Sequence, residues 1–326
     1  LWKGLVLAGL CVVLLVGASS PWLVSMWRSS VHFPSAAHAS GGTVQYLNAA
    51  QLPRGGAVPP FPALAPHDTN PVQLSPDILA SSAFVVAPEQ KWLLYQKQPD
   101  TQLSMASLTK LMTLLLAVEY GNLDQMVTVG SDAAALVNGN NSAMGLSAGE
   151  RLSLRDLLYG LIVASGNDAA VAIADYVGGS TAYFVVEMNR RAAQLGLTNT
   201  TFVSPDGADD GNRTSARDLA MLAALVLEHP EVVPITSAYH YTIPQTGTHK
   251  AYSLTSGNDL LPGGHSPYPG VNGIKTGYTE SAAYCMAFSA RVHGQLIVGV
   301  LLGDPAPGAR IGDAQALLDW ATAQES

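Results

Sequence analysis

Charged side chains are scarce in this chain. Only 12% of its 326 residues are Asp, Glu, Lys or Arg, about half the fraction usual in globular proteins. The net charge is −8 and Lys and Arg nowhere cluster, which excludes the basic footprint of a nucleic-acid partner. Cysteine is scarcer still: Cys11 and Cys285 are the only two, too few for a disulfide framework. Cys11 sits in an apolar N-terminal run, and the bulky Leu10 before it argues against a lipid-attachment site. The eight histidines show neither His-x-x-His nor His-x-His spacing, so zinc has no motif to bind. A glycine-rich phosphate loop is also missing, which leaves no nucleotide site.

What the chain does have begins at its N-terminus. From Gly4 to Trp27 no residue is charged, with Lys3 before the run and Arg28 after it. Such a stretch is long enough to span a bilayer. Residues 1–28 are therefore expected to be a transmembrane anchor or a signal peptide, the latter cleaved near Ala37-His38-Ala39. Either way the rest of the chain is exported. Residues 29–80 read as a linker, because eight of the 20 prolines lie between Pro34 and Pro76 among Gly, Ala, Ser and Gln without an apolar period. As a coil this segment would reach roughly 40 Å on average.

Residues 81–326 read as one α/β domain. Ala83–Ala87 and Trp92–Gln96 form an expected hairpin around Pro88-Glu89-Gln90-Lys91. Apolar residues at helical spacing follow over Ser107–Tyr120. Further helices are expected from Ser153 to about Ala164, over Asp168–Tyr176 and Thr181–Leu195, and over Ser215–Glu228. Ser153-x-x-Asp156 and Ser215-x-x-Asp218 supply capping-box-like starts. Ala282–Arg291 and Gln295–Leu302 form a second hairpin across His293-Gly294, and Ala314–Thr322 a closing helix. Strands at both ends with helices between them predict an antiparallel sheet built from both ends of the domain, flanked by helices and carrying an inserted helical lobe. The active site would lie in the cleft between sheet and lobe.

Of six lysines, one has a serine three residues before it, in Ser107-Leu108-Thr109-Lys110. In a helix this spacing puts both side chains on one face. A serine hydroxyl needs a base to take its proton, and a neutral lysine can serve. Neutrality near pH 7 requires lowering the lysine pKa by about three, which burial and a second cation both favour. Further on, Ser165-Gly166-Asn167-Asp168 interrupts two apolar runs and recurs as Ser256-Gly257-Asn258-Asp259. Lys275-Thr276-Gly277, placed on an edge strand, would offer a cation and a hydroxyl to a carboxylate, with Gly277 letting a substrate backbone lie close. Gly145-Leu146-Ser147-Ala148-Gly149 fits a nucleophile elbow, but it lacks the preceding strand, and Asn138-Gly139-Asn140-Asn141 supplies turn chemistry instead. Cys285, in an apolar strand, reads as a buried small residue.

Ser-x-x-Lys, Ser-x-Asn and Lys-Thr-Gly in this order are the signature of serine β-lactamases and penicillin-binding proteins. From about Ser82 to Trp320 the chain resembles the low-molecular-mass penicillin-binding proteins of the serine-type D-Ala-D-Ala carboxypeptidase family, with the β-lactamase/transpeptidase-like fold. The likeness also runs through Asp156-Leu157-Leu158-Tyr159-Gly160-Leu161 and Ser215-Ala216-Arg217-Asp218-Leu219-Ala220.

The resemblance implies that Ser107 attacks the carbonyl between the terminal D-alanines of a peptidoglycan stem peptide, with Lys110 as base and Ser165 relaying a proton. It implies that Asn167 holds the peptide, and that Lys275, Thr276 and Arg310 face its carboxylate. The backbone N–H groups of Ser107 and Tyr278 would form the oxyanion hole. β-Lactams are implied as acylating inhibitors, and neither cofactor nor metal is implied. By this likeness Ser165-Gly166-Asn167 is the working copy, and the later one matches an Asn-x-Leu-Leu segment upstream of Lys-Thr-Gly. Many relatives carry a C-terminal β-rich domain and an amphipathic anchor, a task the N-terminal run is expected to take here. A D,D-endopeptidase would share all three motifs, and so would a catalytically silent β-lactam-sensing or wall-binding protein. A class A β-lactamase would need a deacylating Glu after the second motif, where Glu187 is the nearest candidate but lacks the accompanying Asn.

Overall fold

The computed structural model describes residues 63–66, 75–137 and 142–323. The chain divides at Val44, and all that follows concerns the unit Gln45–Ser326. The expected anchor, and the linker apart from 63–66 and 75–80, lie outside the described residues.

In chain order, β1 (Ala65–Pro66), β2 (Ser82–Ala87), β3 (Trp92–Lys97) and β4 (Leu103–Ser104) lead to a 3-10 turn at Ala106–Thr109. The helical lobe follows as α1 (Lys110–Tyr120), β5 (Met126–Thr128), α2 (Ser131–Ala135), β6 (Arg151–Ser153), α3 (Leu154–Ile162), α4 (Asn167–Gly178) and α5 (Thr181–Gln194). Next come β7 (Arg213–Thr214), α6 (Ala216–Val226), α7 (Val232–Thr236), β8 (His240–Ile243) and β9 (Tyr252–Thr255). The chain ends with β10 (Val271–Thr279), β11 (Ala283–Val292), β12 (Gln295–Asp304) and α8 (Pro307–Ala323).

The main sheet has the order β1-β3-β2-β12-β11-β10. It joins strands from both ends of the domain, and β10 with its Lys275-Thr276-Gly277 lies at an edge, as the sequence predicts. All pairs in it are antiparallel except β1–β3. That parallel pair brings Ala65–Pro66, inside the stretch read as linker, onto the sheet. An edge strand tolerates a proline there because one side needs no N–H.

Both sheet faces are covered, and the period of two assigns residues to each. Along β2, Phe84 and Val86 belong to the core shared with the lobe, while Ala83, Val85 and Ala87 pack with Leu317, Leu318 and Trp320 of α8. Each large apolar side chain so buried contributes roughly 1.5–3 kcal/mol. The helix starts follow their caps: Ser153 Oγ accepts the Asp156 N–H at 3.1 Å and Ser215 Oγ that of Asp218 at 3.2 Å.

Two expectations are corrected. The α-helix after Ser107 starts at Lys110, because Ala106–Thr109 is wound as a 3-10 turn. The closing helix starts at Pro307 rather than near Ala314; a proline suits a first turn, where its missing N–H is not needed.

Candidate active site

The tighter 3-10 winding decides the geometry of the first motif. Side chains at i and i+3 eclipse in such a turn, and Lys110 Nζ lies 2.9 Å from Ser107 Oγ. Lys110 is fully buried and has two further partners, Asn167 Oδ1 at 2.7 Å and the Asp206 carbonyl at 2.6 Å. The three oxygens can take all three donors of the ammonium, and the same set serves the neutral amine in another way. Once Lys110 is neutral, two N–H bonds can donate to Asn167 and Asp206, which leaves the lone pair to accept the Ser107 proton. Burial pushes the Lys110 amine down to about 8, against the Asp206 and Asp168 carboxylates, which favour the ammonium.

Lys275, on β10, is also buried, and its amine donates to its neighbour's carbonyl, Thr276 O, at 2.9 Å. Burial, and next the Lys110 and Arg310 cations, hold it well below the ordinary lysine value. A second amine therefore stands near Lys110 as the sequence suggested, but it is Lys110 that depresses Lys275, while the lowering of Lys110 itself comes from burial.

Gly277 meets a constraint beyond the one the sequence suggested. A Cβ there would stand 3.0 Å from Ser107 N and 3.1 Å from Ala106 Cβ, so the missing side chain lets β10 close on the serine turn itself. Tyr278, next along, is exposed, and its ring lies tilted by 32° against that of Tyr284 at 4.5 Å between centroids. Arg310, on α8, is buried, with Nη1 3.4 Å from the carbonyls of Gly277 and Cys285. Its Nε is buried without a partner among the described residues.

The second motif is the turn between α3 and α4. Ser165 takes φ 56°, a left-handed value uncommon for a serine, and Asn167 begins α4 with its side chain in the Lys110 set. The Ser165 hydroxyl stands outside that set. The later copy follows β9, and there Ser256 Oγ accepts the Asn258 N–H at 3.2 Å. It lies beside the third motif instead: a Cβ on Gly257 would be 3.5 Å from Thr276 Oγ1. Ser147 is exposed and bonded to Lys250 at 3.2 Å, away from the Lys110 set. Glu187 is spent on an ion pair with Arg190 at 2.6 Å. Cys285 is fully buried, and burial raises its thiol to about 12.

The sequence reading missed the segment 204–212. Asp206 points its carbonyl at Lys110, and Pro205 O accepts from Thr113 Oγ1 at 2.6 Å. Asn212 pins the segment by accepting the Val203 and Ser204 N–H groups. Its signal was the turn chemistry of Ser204-Pro205-Asp206-Gly207.

The D-alanyl-D-alanine carboxypeptidase family pattern matches residues 69–306. The chain belongs to this family. It is 36% identical over 250 residues to the D-alanyl-D-alanine carboxypeptidase DacF of Bacillus subtilis, covering 75% of this chain and 62% of that one. It is 34% identical to the D-alanyl-D-alanine carboxypeptidase of Streptomyces sp. strain K15, over 75% of this chain and 88% of the relative. The crystal structure of the Streptomyces K15 DD-transpeptidase superposes with a TM-score of 0.72 at 30% identity, over 77% of this chain and 100% of that one. Penicillin-binding protein D2 of Listeria monocytogenes, solved in its cefotaxime-bound form, gives 0.65 at 31% identity, over 76% and 99%. The likeness to these structures carries the fold read from the sequence. The chain spans about three fifths of the length of the Bacillus relative, 62%.

Proposed function

We propose that this family member is a serine-type D-alanyl-D-alanine carboxypeptidase acting on peptidoglycan stem peptides outside the cytoplasm. The observation that carries the reading is the Ser107–Lys110–Asn167 set, closed by the Asp206 carbonyl. Neutral Lys110 takes the Ser107 proton as Oγ adds to the carbonyl carbon of the penultimate D-alanine. The backbone N–H groups of Ser107 and Tyr278 hold the oxyanion. As the peptide C–N bond breaks, the proton passes from Lys110 by way of Ser165 to the departing amine, and D-alanine leaves. Water then splits the ester, returning the Ser107 hydroxyl and releasing the shortened peptide as its acid.

Asn167 holds the peptide backbone, while Thr276, Lys275 and Arg310 face the terminal carboxylate. The arriving carboxylate draws Lys275 back to its charged form, since an opposite charge favours the ammonium. β-Lactams acylate Ser107 by the same attack, and the N-terminal run serves as anchor or export signal.

The full chain is expected to release D-alanine from a pentapeptide ending in D-Ala-D-Ala, and Ser107→Ala to release none. Equal release by both would remove Ser107 from the chemistry. β-Lactam labelling without release would overturn the carboxypeptidase. Cleavage of cross-linked peptides would then mark an endopeptidase, and no turnover at all a sensor or wall-binding protein.

A second expectation is the pH dependence of acylation. Only neutral Lys110 can act as base, so the labelling rate should rise with pH through a midpoint near 8 and then level off. A rate independent of pH between 6 and 9 would reassign the base.

A further inference from the structure

Asp168 has no part in the proton transfers above, yet it is fully buried and every hydrogen bond it accepts comes from backbone. Oδ1 accepts the N–H groups of Met144 and Ala169, both at 2.9 Å. Oδ2 accepts those of Gly145 at 2.8 Å and Leu146 at 2.9 Å. Three consecutive N–H groups of an irregular segment thus converge on one carboxylate. This is an anion nest whose anion comes from the same chain. The segment returns a bond, since Ser142 O accepts the Asn167 N–H at 2.8 Å. Residues 142–146 and the turn 165–168 are therefore tied in both directions, and between the ties stands Asn167, whose side chain holds Lys110.

We propose that Asp168 is a positioning residue for acyl transfer. Its carboxylate clamps residues 142–146 onto the second motif and so keeps Asn167 aimed at Lys110. The inference rests on the serine reading above and adds a second, electrostatic role. Asp168 and Asp206 are the carboxylates that favour a charged Lys110, against its burial, and the Lys275 amine, itself held well below the ordinary lysine value, lies near it on β10. Clamp and charge are separable, because Asp168→Asn removes the charge and half the acceptors, whereas Asp168→Glu keeps the charge and displaces it.

The probe is fluorescent penicillin, with the second-order labelling rate of the full chain measured from pH 5 to 10. Asp168→Asn is expected to lower the plateau by about tenfold or more, the scale of a misplaced catalytic group, and to move the midpoint to lower pH. Asp168→Glu is expected to lower the plateau with the midpoint in place. A plateau within twofold of the parent in either variant, or an unmoved midpoint in Asp168→Asn, overturns the proposal. Should both variants fail to fold, hydrogen exchange on the parent decides. Slow exchange at Met144, Gly145 and Leu146 supports the clamp, and exchange at the rate of an open loop overturns it. Absence of labelling in the parent is a different result: it overturns the serine reading, and this inference with it.

Discussion

Lys110→Met is expected to lower the rate of Ser107 acylation by about a thousandfold, the middle of the range for a lost general base, while leaving the melting temperature nearly where it was. The first half follows from geometry. Lys110 Nζ is the amine within hydrogen-bond reach of Ser107 Oγ, at 2.9 Å, whereas Lys275 donates to Thr276 O. The second half follows from opposing costs. Holding a lysine at about 8 instead of 10.5 costs on the order of 3 kcal/mol at neutral pH, and methionine, of similar length and volume, relieves that. Against it, Asn167 Oδ1 and the Asp206 carbonyl lose their donor, at about 1–3 kcal/mol each. The two nearly cancel.

The pH dependence of stability provides the check. Between about 8 and 10.5 the unfolded chain still binds the Lys110 proton and the folded protein does not. Parental stability therefore gains from this group as pH rises through that window. Lys110→Met carries no such gain, so the difference in melting temperature should shift in favour of the parent from pH 8 to 10.5. Loss of labelling together with a collapse in melting temperature would make Lys110 a structural residue. A variant labelled at the parental rate would remove it as base.

The same pair shows why this site was legible in the sequence. The roles proposed for Ser107, Lys110, Asn167 and Lys275 rest on side-chain types in short motifs, so each leaves a mark in the chain. Short apolar runs likewise marked β2, β11 and β12, and Ser-x-x-Asp marked the starts of α3 and α6. Three features left no comparable mark. The Asp206 partner is a carbonyl, which every residue carries, and its placement depends on a loop folded back from nearly a hundred positions away. The 3-10 winding at Ala106–Thr109 depends on tertiary packing against β10, where Gly277 admits the turn, and helical periodicity alone cannot separate it from an α-helical start. The β8–β9 pair is short, and its strands carry few residues to show alternation. Gly277 was singled out for the substrate alone, and its close approach to the serine turn was not legible because a missing side chain does not say what approaches it.

That loop is the basis of the second large effect. Gly207→Ala is expected to destabilise the protein by about 3 kcal/mol or more and to lower the acylation rate by roughly ten- to a hundredfold. Gly207 has φ +82°, and a Cβ there would lie 2.0 Å from Ala106 O, 2.6 Å from Ala106 C and 2.8 Å from Thr109 Oγ1. The left-handed backbone costs an alanine about 1–2 kcal/mol, and relieving an overlap with backbone adds about 1–3 kcal/mol. For a domain of this size that corresponds to roughly 10 °C in melting temperature. The rate falls for a connected reason: the segment can yield only by backing away from Ala106. In doing so it withdraws the Asp206 carbonyl from Lys110 and the Pro205 carbonyl from Thr113, now at 2.6 Å each.

Gly247→Ala is the matched control, since a Cβ there meets nothing within 4 Å and the change should stay within about 0.5 kcal/mol. If Gly207→Ala melts with the parent and takes up fluorescent penicillin at the parental rate, the loop is not needed to hold Lys110. Loss of melting temperature at full labelling rate would make Gly207 a packing residue alone. The expected result, both falling together while Gly247→Ala changes neither, would place the Asp206 carbonyl among the groups that keep the amine aimed at Ser107.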